Sequence, residues 1–376
     1  MAKYVIDEST LVGIADAIRT KDGSSEIIPV AEIKNRIASL SAGANTCAGF
    51  PNGTMWSPSN VYDKSFNHIH EFGGMWVACS LNSGLWYSTD GKTWIQSNIT
   101  SGSYNWCCYD AGKWCAVGSG ALVSTDGINW TSISVAGSTY TYVHVCCSNG
   151  IWVMSSLGSG LHYYDSKMSA WGTSEYTPVS GMFYQVECIN GLWVACGYGS
   201  GLHYSNDGLT WVHSNVTSGQ FYRVHYVNGM WIATTFGSNL GVYYSVDGMT
   251  WTRSNLNNVS AYSACYGNDM WVVGCIGGIY YSVDGVTWSK APNVDGNFQN
   301  VGYNDGIWVA CSGNGIYCST DGIDWVQTNI NTGSYSYVHN ANGIWVACSS
   351  DGNGMCFSVS FESTSGYFVD ANNVKY

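Results

Sequence analysis

The chain has 376 residues; charged residues make up only 10 %, aromatic residues 15 %, and 46 glycines stand against five prolines, a strand- and turn-rich composition that excludes a disordered protein. The formal net charge of −12 comes from few charges, and no basic run offers a footprint for a phosphate backbone, so nucleic acid is not an expected partner. No stretch approaches the ~20 apolar residues of a membrane helix and the N-terminus lacks the order of a secretory signal, so the expectation is no membrane insertion and assembly in a cytoplasm.

Residues 1 to 40 read as two short helices. Asp7 to Thr10 are capping residue types ahead of Leu11, Ile14, Ala15 and Ile18, and Pro29 opens a second periodic run through Ile33, Ile37 and Leu40. Residues 41 to 50, with Ser, Ala, Gly and Asn, read as a linker.

From residue 51 onward a Trp returns on schedule, at Trp76, Trp114, Trp152, Trp193, Trp231, Trp271, Trp308 and Trp345, with steps of 38, 38, 41, 38, 40, 37 and 37 residues. A period near forty with several strand-like runs per unit signals a propeller or solenoid. One unit resolves into Phe221 to Tyr226, Met230 to Thr235, Gly241 to Ser245 and Met249 to Arg253, separated by turn residues. Four antiparallel strands in forty residues describe a propeller blade, so the expected fold is all-β, an eight-bladed β-propeller over residues 51 to 376. The segment Asn52 to Asn60 matches Asp90 to Asn98, the fourth strand of a unit, while the last unit has a degenerate fourth strand. Residues 54 to 59 are therefore expected to complete the last blade and leave no open edge.

Among fifteen cysteines, Cys79, Cys196, Cys311 and Cys348 stand three residues after the repeat Trp in different units, which reads as buried apolar filler. No Cys-x-x-Cys pair occurs, and in Cys107/Cys108 and Cys146/Cys147 neighbouring side chains point to opposite faces of a strand, so neither a metal nor another cofactor is expected. Six residues before the repeat Trp stand His70, Cys108, Cys146, Glu187, His225, Cys265, Gly302 and His339, expected to line the central channel.

The motif Ser-x-Asp-Gly-x-x-Trp occurs at Ser88, Ser124, Ser205, Ser245, Ser282 and Ser319. It resembles a shortened Asp-box hairpin of sialidase-like propellers, in which Asp takes backbone N–H bonds and Trp packs between blades; the implied role is structural. Those enzymes hold the substrate carboxylate with three arginines, whereas beyond the leader this chain has only Arg223 and Arg253. A glycosidase pair would have to be assembled from Glu187 with Asp110 or Asp165. The run Tyr4 to Leu11 through Ile14 to Arg19, then Ile28 to Ile33, resembles a leader of structural proteins from phages and prophages of Gram-positive gut bacteria, which implies a virion component docked through residues 1 to 40.

Ten residues before the repeat Trp an aromatic residue is nearly constant, and seven before it a small apolar one. Between them two positions vary, giving as candidate ligand-binding residues Asn67, His68, Asn105, Trp106, His144, Tyr184, Gln185, Tyr222, Arg223, Tyr262, Gln299, Asn300 and Tyr337. They open the first strand, beside Gly- and Ser-rich loops such as Ser80 to Gly84, Gly197 to Gly201 and Gly237 to Gly241, on one face around the channel mouth. Leader and mouth together give the expectation of a phage or prophage tail receptor-binding protein that holds a cell-surface glycan or protein without catalysis. A tail polysaccharide-degrading glycosidase and a structural adaptor are the alternatives.

Overall fold

The computed structural model describes residues 55–133, 141–165, 170–173, 181–237 and 241–358. The expected helices and linker of residues 1 to 50 lie outside the described residues. Eight four-stranded antiparallel sheets make up the described chain. The first strands of blades 1 to 8 are Phe66–Phe72, Tyr104–Asp110, Tyr142–Ser148, Met182–Ile189, Phe221–Val227, Ala261–Gly267, Phe298–Asn304 and Tyr337–Ala341. The second strands carry the repeat Trp, from Met75–Ser80 in blade 1 to Ile344–Cys348 in blade 8. The ring closes as expected: Trp56–Pro58 pairs with Met355–Ser358 as the fourth strand of blade 8, in the register Trp56 to Ser358.

Each blade interface holds its own core. Between blades 1 and 2 lie Val77, Cys79, Leu85, Tyr104, Cys107, Trp114 and Trp130, all buried. The eight sets of this kind join into one ring because every second strand is buried on both faces, one facing each neighbour. Tight hairpins link first to second strands: Asn149-Gly150, Asn190-Gly191, Asn228-Gly229 and Asn342-Gly343 all take positive φ at both residues, the mirror-image turn that matches strand twist.

The Ser-x-Asp-Gly-x-x-Trp turn is a closed hydrogen-bond set. In blade 1, Ser88 Oγ donates to Asp90 Oδ1 at 2.9 Å and accepts the Gly91 N–H at 2.9 Å. The same Asp90 oxygen accepts the amides of Lys92 and Thr93, each at 2.8 Å. These bonds hold Asp90, Asp126, Asp207, Asp247, Asp284 and Asp321 below the usual carboxylate range, overcoming an opposing effect of burial. Because Asp247 takes the amides of Met249 and Thr250, those residues stay in the turn, and the fourth strand of blade 5 is Thr252–Arg253, shorter than expected.

Outer strands are clasped blade to blade by an Asn four residues after the turn Trp. Asn98 Nδ2 donates to the Trp130 carbonyl at 2.9 Å, and its Oδ1 accepts the Trp130 N–H at 2.8 Å. Asn215 on Trp251, Asn255 on Trp288 and Asn60 on Trp94 repeat this pairing. At the seam, Asn329 of blade 7 clasps Trp56 through two 2.8 Å bonds, so the N-terminal strand enters the ring like any other outer strand.

Candidate binding site at the channel mouth

In seven blades the first strand carries a register shift between the constant aromatic and the residue two on, as between Phe66 and His68 or Phe221 and Arg223. The extra residue is Asn67, Asn105, Val143, Tyr184, Tyr222, Tyr262 or Gln299. Such a bulge lets two residues oppose one and redirects a side chain. It brings the aromatic and the apolar residue three positions later onto the same core, as with Phe221 and Val224 or Phe183 and Val186.

The bulge separates the two variable positions into different environments. His68, His144, Gln185 and Asn300 are buried, and three of them tie the ring together. Gln185 Oε1 accepts the Val224 N–H at 2.8 Å, Asn300 Oδ1 the Val338 N–H at 3.1 Å, and His68 Nδ1 the Cys107 N–H at 3.3 Å. Asn67 and Asn105, at the bulge itself, donate to the carbonyls of Tyr104 and Tyr142 in the next blade at 3.0 and 2.7 Å. These side chains satisfy inner-strand backbone groups and are committed to the fold.

The remaining members divide into two groups. Trp106 stacks on His68 with centroids 3.5 Å apart, and His144 and Tyr337 lie 4.3 and 5.6 Å from it. Arg223, from blade 5, reaches across the channel to this cluster: its guanidinium stands 5.4 Å from the Trp106 ring, 5.6 Å from Tyr222 and 5.8 Å from Tyr337. Among the described residues no carboxylate forms an ion pair with Arg223. Burial, with Arg223 among the nearby groups that add to it, keeps His68 and His144 well below their usual range and therefore neutral.

The second group is an aromatic strip. Tyr184 and Tyr222 are 5.7 Å apart, Tyr222 and Tyr262 5.8 Å, and Phe236 lies 6.3 Å from Tyr222 and 5.9 Å from Tyr262. Gln299, in blade 7, is half-buried at its bulge beyond the strip.

Phe236 belongs to a set that the repeat pattern alone did not single out. Five residues after the repeat Trp stand Leu157, Tyr198, Phe236 and Ile276 in blades 3 to 6, exposed by 41, 45, 41 and 43 %. The same position holds Ser119, Gly313 and Ser350 in blades 2, 7 and 8, and a half-buried Leu81 in blade 1. Its backbone is fixed: Leu157, Phe236 and Ile276 donate to the carbonyls of Thr141, Gln220 and Ser260, just ahead of the first strand. Exposed Met182 bridges Leu157 and pairs with Tyr198. A crescent of exposed apolar residues from four consecutive blades therefore lies along one half of the mouth, and counting forward from the repeat Trp would have found it. Glycine starts the loops' return strands for a steric reason: at Gly241, φ +75°, a Cβ would run into the Leu256 carbonyl.

Deeper in the channel the expected ring forms. His70 and His339 are 5.7 Å apart, and burial takes His225 and His339 down to about 3. Burial raises Glu187 to about 7, opposed by a 3.4 Å hydrogen bond from Gln185 Nε2. Asp110 is turned away to the hairpin end, where it accepts the Gly150 N–H at 3.1 Å, and the side chain of Asp165 is outside the described set. Elsewhere His68 Nδ1 and the sulfurs of Cys79 and Cys107 lie within 4.8 Å of one another, a donor set suited to a soft cation. The His68 nitrogen is already engaged by the Cys107 amide, and burial holds the Cys107 thiol well up, so the cluster is satisfied as packing.

No protein-family model matches the chain, and no curated protein matches it in sequence. Solved structures share the fold. The computationally designed Ika8 protein is similar over 81 % of this chain and 98 % of its own, with a TM-score of 0.66 at 8 % identity. YCF48, solved bound to a D1 peptide, covers 85 % of this chain and 100 % of its own at TM-score 0.53 and 14 % identity. The GH74 enzyme of Niastella koreensis covers 76 % of this chain and 48 % of its own at TM-score 0.50 and 16 % identity. At these identities the likeness is one of fold: the chain is an eight-bladed β-propeller.

Proposed function

We propose that this propeller is the receptor-binding module of a phage or prophage tail, holding a cell-surface glycan or protein at its mouth without breaking bonds, with residues 1 to 40 docking on the virion. The observation that carries the binding face is the asymmetry of the crescent. Eight equivalent positions are available, yet exposed apolar side chains occupy four consecutive blades, with Tyr184, Tyr222 and Tyr262 lining their inner side. Exposed apolar area gathered in one patch on a rigid frame marks an interaction site. Flat rings suit sugar faces, and Arg223 adds a cation at the inner edge. The viral setting rests on the leader's resemblance, and several copies on one particle would multiply a weak affinity. The likeness of the Asp turns to shortened Asp-boxes belongs to the same reading.

The test is adsorption of the full chain to host cells, with a glycan array to find the ligand class. The variant Tyr198→Ala/Phe236→Ala/Ile276→Ser is expected to lose adsorption while circular dichroism and the unfolding midpoint stay near wild type. Unchanged adsorption would leave the structural-adaptor reading. The glycosidase reading draws on Glu187, which burial places near neutral, where a carboxyl can act as a general acid. It requires sugar release that Glu187→Gln abolishes while binding survives.

A further inference from the structure

At two interfaces the sequence lacks the asparagine of the outer clasp. At its position, four residues after the turn Trp, the sequence has Ser134 in blade 2 and Glu175 in blade 3. The interfaces between blades 2 and 3 and between blades 3 and 4 are therefore the two without this asparagine, since blade 6 supplies Asn293 one residue later. The inner position filled by Gln185 or Asn300 elsewhere also lacks its bond there: it holds Trp106, which has no acceptor, and His144, whose ring nitrogens have no hydrogen-bond partner among the described residues, leaving Asn105 on the Tyr142 carbonyl and Ser155 on the Tyr184 carbonyl as the side-chain ties.

These same two interfaces bring cysteines together. The residue six before the repeat Trp of one blade faces the residue five before it in the next, which pairs Cys108 with Cys147 and Cys146 with Cys188. Cys108 and Cys147 stand out, with their sulfurs 2.6 Å apart. That separation is within roughly 0.6 Å of a covalent S–S bond of about 2.04 Å. Both residues are half-buried in the channel wall.

We propose that Cys108 and Cys147 form a disulfide that covalently clasps blade 2 to blade 3. With a low-molecular-weight disulfide as oxidant, one protein thiolate attacks its S–S bond and releases one small thiol. The second protein thiolate then displaces the other small thiol from the mixed disulfide. In sum, two protein thiols and one small disulfide become one protein disulfide and two small thiols, and the electrons lost by the cysteines reduce the oxidant. The reaction needs thiolate; burial raises Cys108 to about 12 and the Cys108 contact together with burial raises Cys147 further, so crosslinking is slow at neutral pH and quickens with alkalinity. The link joins residues 39 apart, one repeat of chain.

The experiment treats the full chain with oxidised glutathione, blocks free thiols with iodoacetamide under denaturing conditions and maps peptides without reduction. The expected result is a Cys108 peptide joined to a Cys147 peptide with loss of two hydrogens, and a higher thermal midpoint for the oxidised than for the reduced protein. Cys108→Ser and Cys147→Ser should each remove both the link and the oxidant-dependent rise. Alkyl label on both cysteines after oxidation, or linkage to other cysteines instead, overturns the proposal. The wild-type map decides this even if a serine variant fails to fold.

Discussion

Replacing Asn329 by Ala tests how the ring is shut. Asn329 makes two 2.8 Å hydrogen bonds to the backbone of Trp56, and the pairing of Trp56–Pro58 with blade 8 spans three residues. Each such bond contributes about 1 kcal/mol net, and water reaches this half-buried site, so the local loss is about 2 kcal/mol. Asn215→Ala removes the equivalent pair to Trp251 and should cost about the same. The two sites respond differently to that loss. Trp251 is held within a hairpin of continuous chain, whereas the strand at Trp56 is tied by sequence to blade 1 and joins blade 8 by pairing alone. Asn329→Ala should therefore add local opening at the seam, read as faster amide exchange over residues 56–60. Urea unfolding followed by Trp fluorescence gives the global loss, and hydrogen exchange with mass spectrometry gives the local one. A midpoint equal to wild type, or exchange at 56–60 no faster than in Asn215→Ala, would refute the reasoning.

Three other perturbations have defined outcomes. Ala111 takes φ +50° where five other blades use Asn, so Ala111→Asn should stabilise by about 1 kcal/mol, measured by urea unfolding; no gain would mean the turn is not strained. Glu187, raised to about 7 by burial, binds its proton more tightly folded than unfolded. Its contribution is complete below the unfolded value near ~4.3 and is lost as pH rises through about 7, so Glu187→Gln should gain on wild type between pH 4 and pH 8, on the order of 1–3 kcal/mol. An equal difference at both pH values would sink this. His225 and His339 are lowered to about 3, so their share of stability is lost as pH falls from ~6.5 toward that value, while the Asp turns, lowered to about 2 at Asp284, still hold above ~4. Acid unfolding should accordingly move to lower pH in His339→Asn, whereas Asp284→Asn should lose the same stability at every pH above ~4.

The fold was legible because a large apolar residue at fixed phase is what eight identical packing problems require: Trp76 and its seven counterparts each fill an interface. The closing strand was legible because Ser59-Asn60 repeats Ser97-Asn98, and both asparagines prove to be clasps. The bulge was written in the spacing as well. Phe221 and Val224 are both core residues three apart, and a regular strand puts only even separations on one face. Without that inference the two residues between them looked equally free, whereas Gln185 and Asn300 serve the backbone and Tyr184 and Tyr222 face the mouth. The Cys108–Cys147 contact was illegible for another reason: it depends on the one-residue offset between neighbouring inner strands, which no single repeat encodes.

Symmetry then narrows where recognition can sit. Where a side chain bonds the next blade's backbone, as Gln185, Ser263 and Asn300 do, it cannot vary without cost, and where that bond is not made the same position carries other chemistry, as at Trp106 and Arg223. The position five after the repeat Trp has no such duty, because its backbone alone is fixed. It is free to be Ser119 or Gly313 on one side of the ring and Tyr198 or Phe236 on the other. An exposed apolar side chain costs solubility wherever it serves nothing, so under the proposed binding its confinement to adjoining blades fits a ligand that spans blades 3 to 6 and leaves blades 7, 8, 1 and 2 uncovered. Substituting Leu81 or Gly313 should then leave adsorption intact, while Phe236→Ala alone weakens it.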